Sequence, residues 1–468
     1  TRQSRAMSPD PEPPPARPLT GGAVMSATSR VTVAVTGAAA TILVARLLGP
    51  EGAGGYAIAQ TLILLLTVAT TLGVEHGVTY FVSSGRWAVA DAYRSAQRVA
   101  LVSGMVGAAL GLGARLLVPS AFGGLSVATT AVAVAALPFA LSWLYATYLA
   151  LATDRYEAYA LPPALQSIAA MCAVGVLAAL FGVPGAVAGF VAAHVLTALV
   201  VAVTVRRRLT APGGPHATTT EERPLRRAVA FGIKGYLANA LQFLNYRIDV
   251  FVLAGVAGTA AVGQYSVAVA ATGVMWLLPQ ALSEVLFPRV AALRARTDAE
   301  GEATRAFVET KSLRHTVLIV VASTLVLAAA IELLVVPIYG SEFRPAIELG
   351  LILLPGVALI GIAGTLSATI VGHGKPGYSL AIAVITTPIT IALYAILIPA
   401  YDATGAAVAS SISYALSFVL ASIFYRRVTG AALLPRLLPT RSELADYRGL
   451  APAILAWGRG VRARRVGG

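Results

Sequence analysis

Apolar runs of roughly 18 residues or more recur along this chain from about residue 24 to about residue 425, and no other feature limits its fold so strongly. About 20 such residues in a helix cross a hydrocarbon layer some 30 Å thick, so the solvent for most of the chain is lipid. Composition agrees: 57% of the residues are hydrophobic and 12% are charged, where a soluble domain carries about 25% charged residues. In lipid every backbone N–H and C=O has to find its partner within the chain, which leaves helices or a closed barrel. Runs of this length select helices.

The runs place helices at about 24–47, 55–81, 99–118, 125–151, 159–181, 186–205, 229–254, 263–287, 315–336, 346–370, 378–398 and 405–425. Basic residues test this division, because Lys and Arg accumulate on the cytoplasmic side of a membrane. With the N-terminus inside, 29 of the 35 basic residues fall in inner segments. Three (Arg46, Arg115, Arg344) fall in outer connections and three (Arg30, Lys234, Arg247) inside helices. One span more or fewer would put the later basic loops on the wrong side. The expected fold is therefore all-α, a polytopic protein of about twelve transmembrane helices in the cell membrane, plasma or inner, with both termini cytoplasmic. The net charge of +14 is read as this loop bias and not as a surface for nucleic acid.

The two halves resemble each other. Gly54-Gly55-Tyr56 has a counterpart in Gly263-Gln264-Tyr265 at an offset of 209, which also carries Glu75 onto Glu284. Gly185-Ala186-Val187-Ala188 matches Gly405-Ala406-Ala407-Val408-Ala409, and Arg155 matches Lys375, near an offset of 220. Six helices per repeat is an even number, so the repeats are parallel, an arrangement that puts substrate sites between two bundles. The expected domains are a disordered Pro-rich tail (1–23), a six-helix lobe (24–205), a basic cytoplasmic linker (206–228), a second six-helix lobe (229–425) and a basic tail (426–468). That last tail is read either as lying on anionic headgroups or as disordered. The sequence starts at Thr1 without Met, which suggests preceding residues, and no removable signal peptide is expected.

Several chemistries lack their residues. The single cysteine, Cys172, excludes an internal disulfide or a CxxC pair. His76 and His194 have no second histidine or carboxylate at i+3 or i+4, so no metal is expected. No GxxxxGK[ST] and no DxD occur. No cofactor and no catalytic residue is expected, and the chain is not read as an enzyme.

Polar groups inside hydrocarbon are expensive, about 2.5–3.5 kcal/mol for a central Lys, Arg or Asp, so each calls for a partner or a wet cavity. On helix 229–254, Lys234, Ala238, Gln242, Asn245 and Asp249 fall within an arc of about 80° at 100° per residue. This stripe reads as the lining of a central cavity, with Lys234 able to meet an anion and Asp249 a cation or an arginine, or as hydrogen bonding that holds the bundle together. Gln60, Thr67, Thr71 and Glu75 repeat the pattern on helix 55–81, with Glu75 the stronger signal. Arg30 shares a face with Ala34, Gly37 and Thr41, small residues that leave room for a bulky anion or for close packing. Arg247 points away from the polar stripe and is expected to pair structurally. The candidate substrate-binding residues are Arg30, Lys234, Gln242, Asn245, Asp249, Gln60 and Glu75.

The stretch Ala45-Arg46-Leu47-Leu48-Gly49-Pro50-Glu51-Gly52-Ala53-Gly54-Gly55-Tyr56 resembles the polysaccharide flippases, the O-antigen and capsule exporters of the multidrug/oligosaccharidyl-lipid/polysaccharide exporter superfamily. Tyr246-Arg247-Ile248-Asp249, Ala261-Val262-Gly263-Gln264-Tyr265 and Leu286-Phe287-Pro288 are similar to the second-half pattern of the same group. The resemblance implies two lobes in a V, alternately open to either side, that carry a polyprenyl-pyrophosphate-linked oligosaccharide to the outer leaflet. It implies that cavity cations, here Arg30 and then Lys234, receive the pyrophosphate. The implied partners are the lipid-linked substrate, membrane lipids, and a glycan polymerase or glycosyltransferases. A cation-coupled multidrug exporter and a membrane-embedded glycan polymerase or transferase are the two rival readings.

Overall fold

A computed structural model describes residues 19–209, 222–294 and 298–447. Every regular element among them is helical. The α-helices are α1 (Leu19–Thr71), α2 (Val74–Ser83), α3 (Val89–Leu117), α4 (Val127–Val134), α5 (Leu137–Ala152), α6 (Tyr156–Leu209) and α7 (Pro224–Asn245). They continue as α8 (Asp249–Gly273), α9 (Leu277–Arg294), α10 (Ala299–Tyr339), α11 (Pro345–Gly372), α12 (Gly377–Thr429), α13 (Leu434–Leu437) and α14 (Arg441–Asp446). Among the described residues, eight helical stretches are long and apolar enough to cross a membrane. The most apolar window of α10 is only 17% buried within the protein, as a surface solvated by lipid requires.

Four of these stretches, Met25–Thr71, Tyr156–Val205, Asn239–Trp276 and Gly377–Thr429, hold 47, 50, 38 and 53 residues, about twice what one crossing needs. Each contains a residue in the left-handed region: Gly49 (φ 65°), Gly182 (φ 64°), Gly258 (φ 78°) and Asp402 (φ 49°). These breaks lie where the sequence placed the connections between its expected helices 1 and 2, 5 and 6, 7 and 8, and 11 and 12. Glycine has no Cβ to clash there, and aspartate is among the few other residues that tolerate the region.

The breaks also repeat. Gly49 and Gly258 are 209 residues apart; Gly182 and Asp402 are 220 apart, as are the positive-φ turns at Asp154 and Gly374. The offsets read from sequence motifs are thus those of the backbone itself. Between the halves, α1 packs along α8. A first side-chain carbon at Gly54 would lie 1.8 Å from the carbonyl oxygen of Thr259, and one at Gly263 would lie 2.0 Å from that of Pro50. Thr259 and Gly263 are the equivalents of Pro50 and Gly54, so the contact is reciprocal, as across a two-fold axis. A second close approach joins α2 to α7, where Gly73 meets Gly232 and Gly77 meets Ala228, backbone to backbone. Beside the α1–α8 seam, Arg46 donates to the carbonyls of Ile338 (2.7 Å) and Pro337 at the end of α10. Gln264 there donates to the Glu342 carbonyl at 3.3 Å.

Three sequence expectations need correction. The loop expected at about 288–314 is largely helical, since α9 runs to Arg294 and α10 starts at Ala299; its Ala, Glu, Arg and Lys favour helix once outside the membrane. The helix expected over 55–81 breaks at Leu72 and Gly73, both with positive φ. The helix expected over 229–254 breaks at 246–248, a point taken up below.

After α12 the chain turns back onto α10. Glu309, 3% exposed, accepts from His373 at 2.7 Å and faces Arg436 at 3.6 Å and Arg305 at 3.9 Å. Arg314 donates to Glu443 of α14 at 3.1 Å. The beginning of the expected tail is therefore docked; residues 448–468 lie outside the described residues, as do residues 1–18 and 210–221.

Candidate functional site

A cavity of about 720 Å³ lies between the two halves of the chain. Its walls come from equivalent parts of the repeat: Tyr56 and Ala57 of α1 face it from one side, and Tyr265 and Ser266 of α8, each 209 residues later, from the other. The reciprocal seam at Gly54 and Gly263 borders it. Gly37, Thr41, Gln60 and Thr61 add to the α1 wall.

The other wall owes its chemistry to the break after α7. The N–H of Tyr246 donates to the Gln242 and Phe243 carbonyls, that of Arg247 to Leu244, and helix resumes at Asp249. Aspartate suits a helix start, where its carboxylate meets free N–H groups and the positive end of the helix dipole. The Asp249 Oδ1 accepts from the Val250 N–H at 2.8 Å. Its Oδ2 accepts from the Tyr265 hydroxyl at 2.5 Å, and that hydroxyl also meets Ser410 Oγ at 3.1 Å. Asp249 borders the cavity, yet it is 2% exposed and both oxygens are engaged.

Arg247 lines the cavity and is half-buried. Among the described residues its guanidinium has no hydrogen bond and no carboxylate within 4.0 Å. The expected structural pairing of Arg247 is thus corrected: the turn at 246–248 swings it off the helical period that the sequence reading assumed, and Asp249 bonds elsewhere.

The remaining candidates divide. Gln60 and Asp249 line the cavity; Gln242 and Asn245 do not. Asn245 is fully buried, its Nδ2 donating to Ser413 Oγ at 3.3 Å, and its Oδ1 has no partner among the described residues. The Gln242 Nε2 is likewise buried without a described partner. The expected single stripe from Gln242 to Asp249 is therefore split, because α7 ends at Asn245. Arg30 is exposed on α1, outside the cavity lining, and about 10 Å along the helix from Gly37 at 1.5 Å per residue. Lys234 belongs to α7, and its side chain lies outside the described residues. Glu75 sits apart from the cavity, 4% exposed, accepting from Thr71 Oγ1 at 2.7 Å, with His76 3.7 Å away.

Three aromatic residues of this wall, Tyr246, Trp276 and Tyr414, went unnoticed in the sequence. Only Tyr246 had a signal, as the neighbour of Arg247 in the quoted motif. Among the described residues, no group of three or more His, Cys, Asp or Glu could hold a metal ion.

Comparison with known proteins adds to this picture. Residues 43–348 match the family described as polysaccharide biosynthesis protein. The structure is similar to the lipid II flippase MurJ in an inward closed conformation, with a TM-score of 0.69 and 14% identity, covering 89% of this chain and 91% of that one. It is similar to an inward-facing multidrug resistance MATE family transporter of the MOP superfamily, with a TM-score of 0.61 and 17% identity, covering 86% of this chain and 98% of the other. A MOP superfamily transporter from Pyrococcus furiosus, described as having a binding pocket of reverse polarity, matches with a TM-score of 0.56 and 16% identity, covering 88% and 95%. At such identities these likenesses speak to the fold. No curated protein matches the sequence. The fold is similar to that of these transporters, and with more than half of its length matching one family, the chain belongs to the polysaccharide biosynthesis protein family.

Proposed function

We propose that this protein is a transporter that flips a polyprenyl-pyrophosphate-linked oligosaccharide from the cytoplasmic to the outer leaflet of the cell membrane, for cell-envelope polysaccharide synthesis. The observation that carries this reading is the charge left open to the cavity. Asp249 is spent on Tyr265 and a backbone N–H, while the Arg247 guanidinium faces the cavity without an ion-pair partner among the described residues. A planar guanidinium suits phosphate, to which it donates two parallel hydrogen bonds. The cavity spares the polar headgroup a crossing of hydrocarbon, while the polyprenyl chain stays in the bilayer. Arg247 replaces Arg30 and Lys234 as the first anion ligand in this proposal. Arg30, toward one end of the same α1 face as Gly37 and Thr41, serves as an entry station. The same open cation disfavours a cation-coupled multidrug exporter, whose coupling cation needs a carboxylate open to the cavity. No catalytic role is assigned to any residue.

Surface glycan measured in the producing strain tests this. Arg247→Gln is expected to cut export at least about tenfold, the loss of one charge-assisted hydrogen-bonded contact, with the protein still present in the membrane. Arg30→Gln should do less. Unchanged glycan with Arg247→Gln would end the proposal. Drug resistance conferred on a sensitive host would favour the exporter, and release of free polyprenyl pyrophosphate by the purified protein would favour an enzyme.

A further inference from the structure

The internal repeat allows the two cavity walls to be compared position by position. Where the second half has Tyr246, the first has Gly37, and where the second has Trp276, the first has Thr67, each at an offset of 209. At Gly37 the first wall is open: a side-chain carbon added there would meet nothing within 4 Å. The second wall is aromatic. Tyr246 stands edge-on to Trp276 (ring centroids 5.4 Å, 74° between planes) and to Tyr414 (5.5 Å, 79°).

These three rings differ from core aromatics. Tyr265, at the edge of the cavity, and Tyr394 are fully buried and hydrogen-bonded to their neighbours, whereas Tyr246, Trp276 and Tyr414 line the cavity while only half-buried. Two of them also stand on irregular backbone, the turn at 246–248 and the one-turn 3₁₀ helix Val274–Trp276. Backbone of that kind at membrane depth is tolerated where it lines a wet cavity. Aromatic faces carry partial negative charge and receive the C–H face of a sugar ring, while its hydroxyls need hydrogen-bond partners at the rim. Gln60 and Gln280 line the same cavity and supply them.

We propose that Tyr246, Trp276 and Tyr414 form a sugar-stacking platform beside Arg247, so that the second half of the chain supplies the stacking surface and the first half faces it with Gln60 as a polar contact. This rests on the transport reading above. The cavity volume of about 720 Å³ is within the roughly 300–1,000 Å³ of sites that enclose small ligands. The platform thus serves a headgroup of a few sugars and not a long polymer.

The test measures binding of two probes to the purified full chain in detergent. One is undecaprenyl pyrophosphate; the other is the lipid-linked saccharide fraction extracted from the producing strain. Wild type is expected to bind the saccharide fraction about tenfold more tightly, the worth of one aromatic stacking contact. Trp276→Leu and Tyr246→Leu should abolish that preference while keeping affinity for bare undecaprenyl pyrophosphate within twofold, which also reports that they are folded. Trp276→Phe and Tyr246→Phe, which keep a ring, should retain most of it. A preference that survives both leucine substitutions overturns the platform and leaves the transport proposal standing, as does wild type binding both probes equally. Wild type binding neither probe overturns the transport reading, and the platform with it.

Discussion

Arg247 and Asp249 are two residues apart and belong to different environments, one open to the cavity and one tied to Tyr265. Their presence inside an apolar run was plain from the sequence. Their directions were not, because a helical wheel assumes an unbroken helix, and Tyr246-Arg247-Ile248 contains neither Gly nor Pro to announce a break. Glu443 is a case where local sequence does fix the geometry: Thr440 three residues earlier makes a capping box with it. The Thr440 hydroxyl, then its backbone N–H and the Arg314 guanidinium, hold the Glu443 carboxyl down at about 2, from an ordinary 4.5. A carboxylate held low stabilises the folded state fully above its unfolded-state value and loses that contribution as pH falls through the folded one. Hydrogen exchange of the α14 amides, corrected for its intrinsic pH dependence, should therefore be steady from pH 7 to 5 and accelerate between about 4.5 and 2. In Glu443→Gln it should be faster at pH 7 already, without the acid step. A Gln variant with the wild-type pH profile would show that this carboxylate does not dock α14.

At the level of helices, the glycine motifs were visible as a repeat, but their purpose was not. Only the coordinates show that Gly54 and Gly263 let two backbones touch reciprocally, with no room for a side chain on either. The positive-φ breaks at Gly49, Gly182 and Gly258 were legible as gaps between apolar runs; Asp402 carries the same conformation without the glycine that would have flagged it. Forcing a side chain into a packed seam costs about 1–3 kcal/mol, roughly a tenfold shift in the population with the seam closed. Gly54→Val is therefore expected to reduce export about tenfold at unchanged membrane abundance. Gly113→Val in α3, where an added carbon meets nothing within 4 Å, serves as the control and should be near wild type. Equal export by the two variants would mean that the seam plays no part in the transport cycle.

For the molecule as a whole, lipid as solvent decided most of what could be read in advance: the all-helical class follows from apolar run length, and the repeat from motifs that recur. Orientation rests on the uneven distribution of Arg and Lys, which speaks to a membrane potential and to headgroups. It can be tested with the single thiol removed by Cys172→Ser. In intact cells a membrane-impermeant maleimide should then label Ser341→Cys, at an exposed turn on the expected outer side, and should reach Ser84→Cys only after permeabilisation. The reverse pattern would invert the topology. Cavity chemistry was the least legible part, since it depends on which side chains two distant helix breaks bring together.

The clasp at Arg46 has a consequence for how this protein can vary. Its acceptors are main-chain carbonyls, those of Pro337 and Ile338, and a carbonyl is supplied by any amino acid. The side chains of Pro337 and Ile338 are therefore free to drift without loosening the clasp, whereas the donor is one arginine. Tolerance to substitution should be lopsided across this contact, broad on the accepting strand of chain and narrow on the giving one.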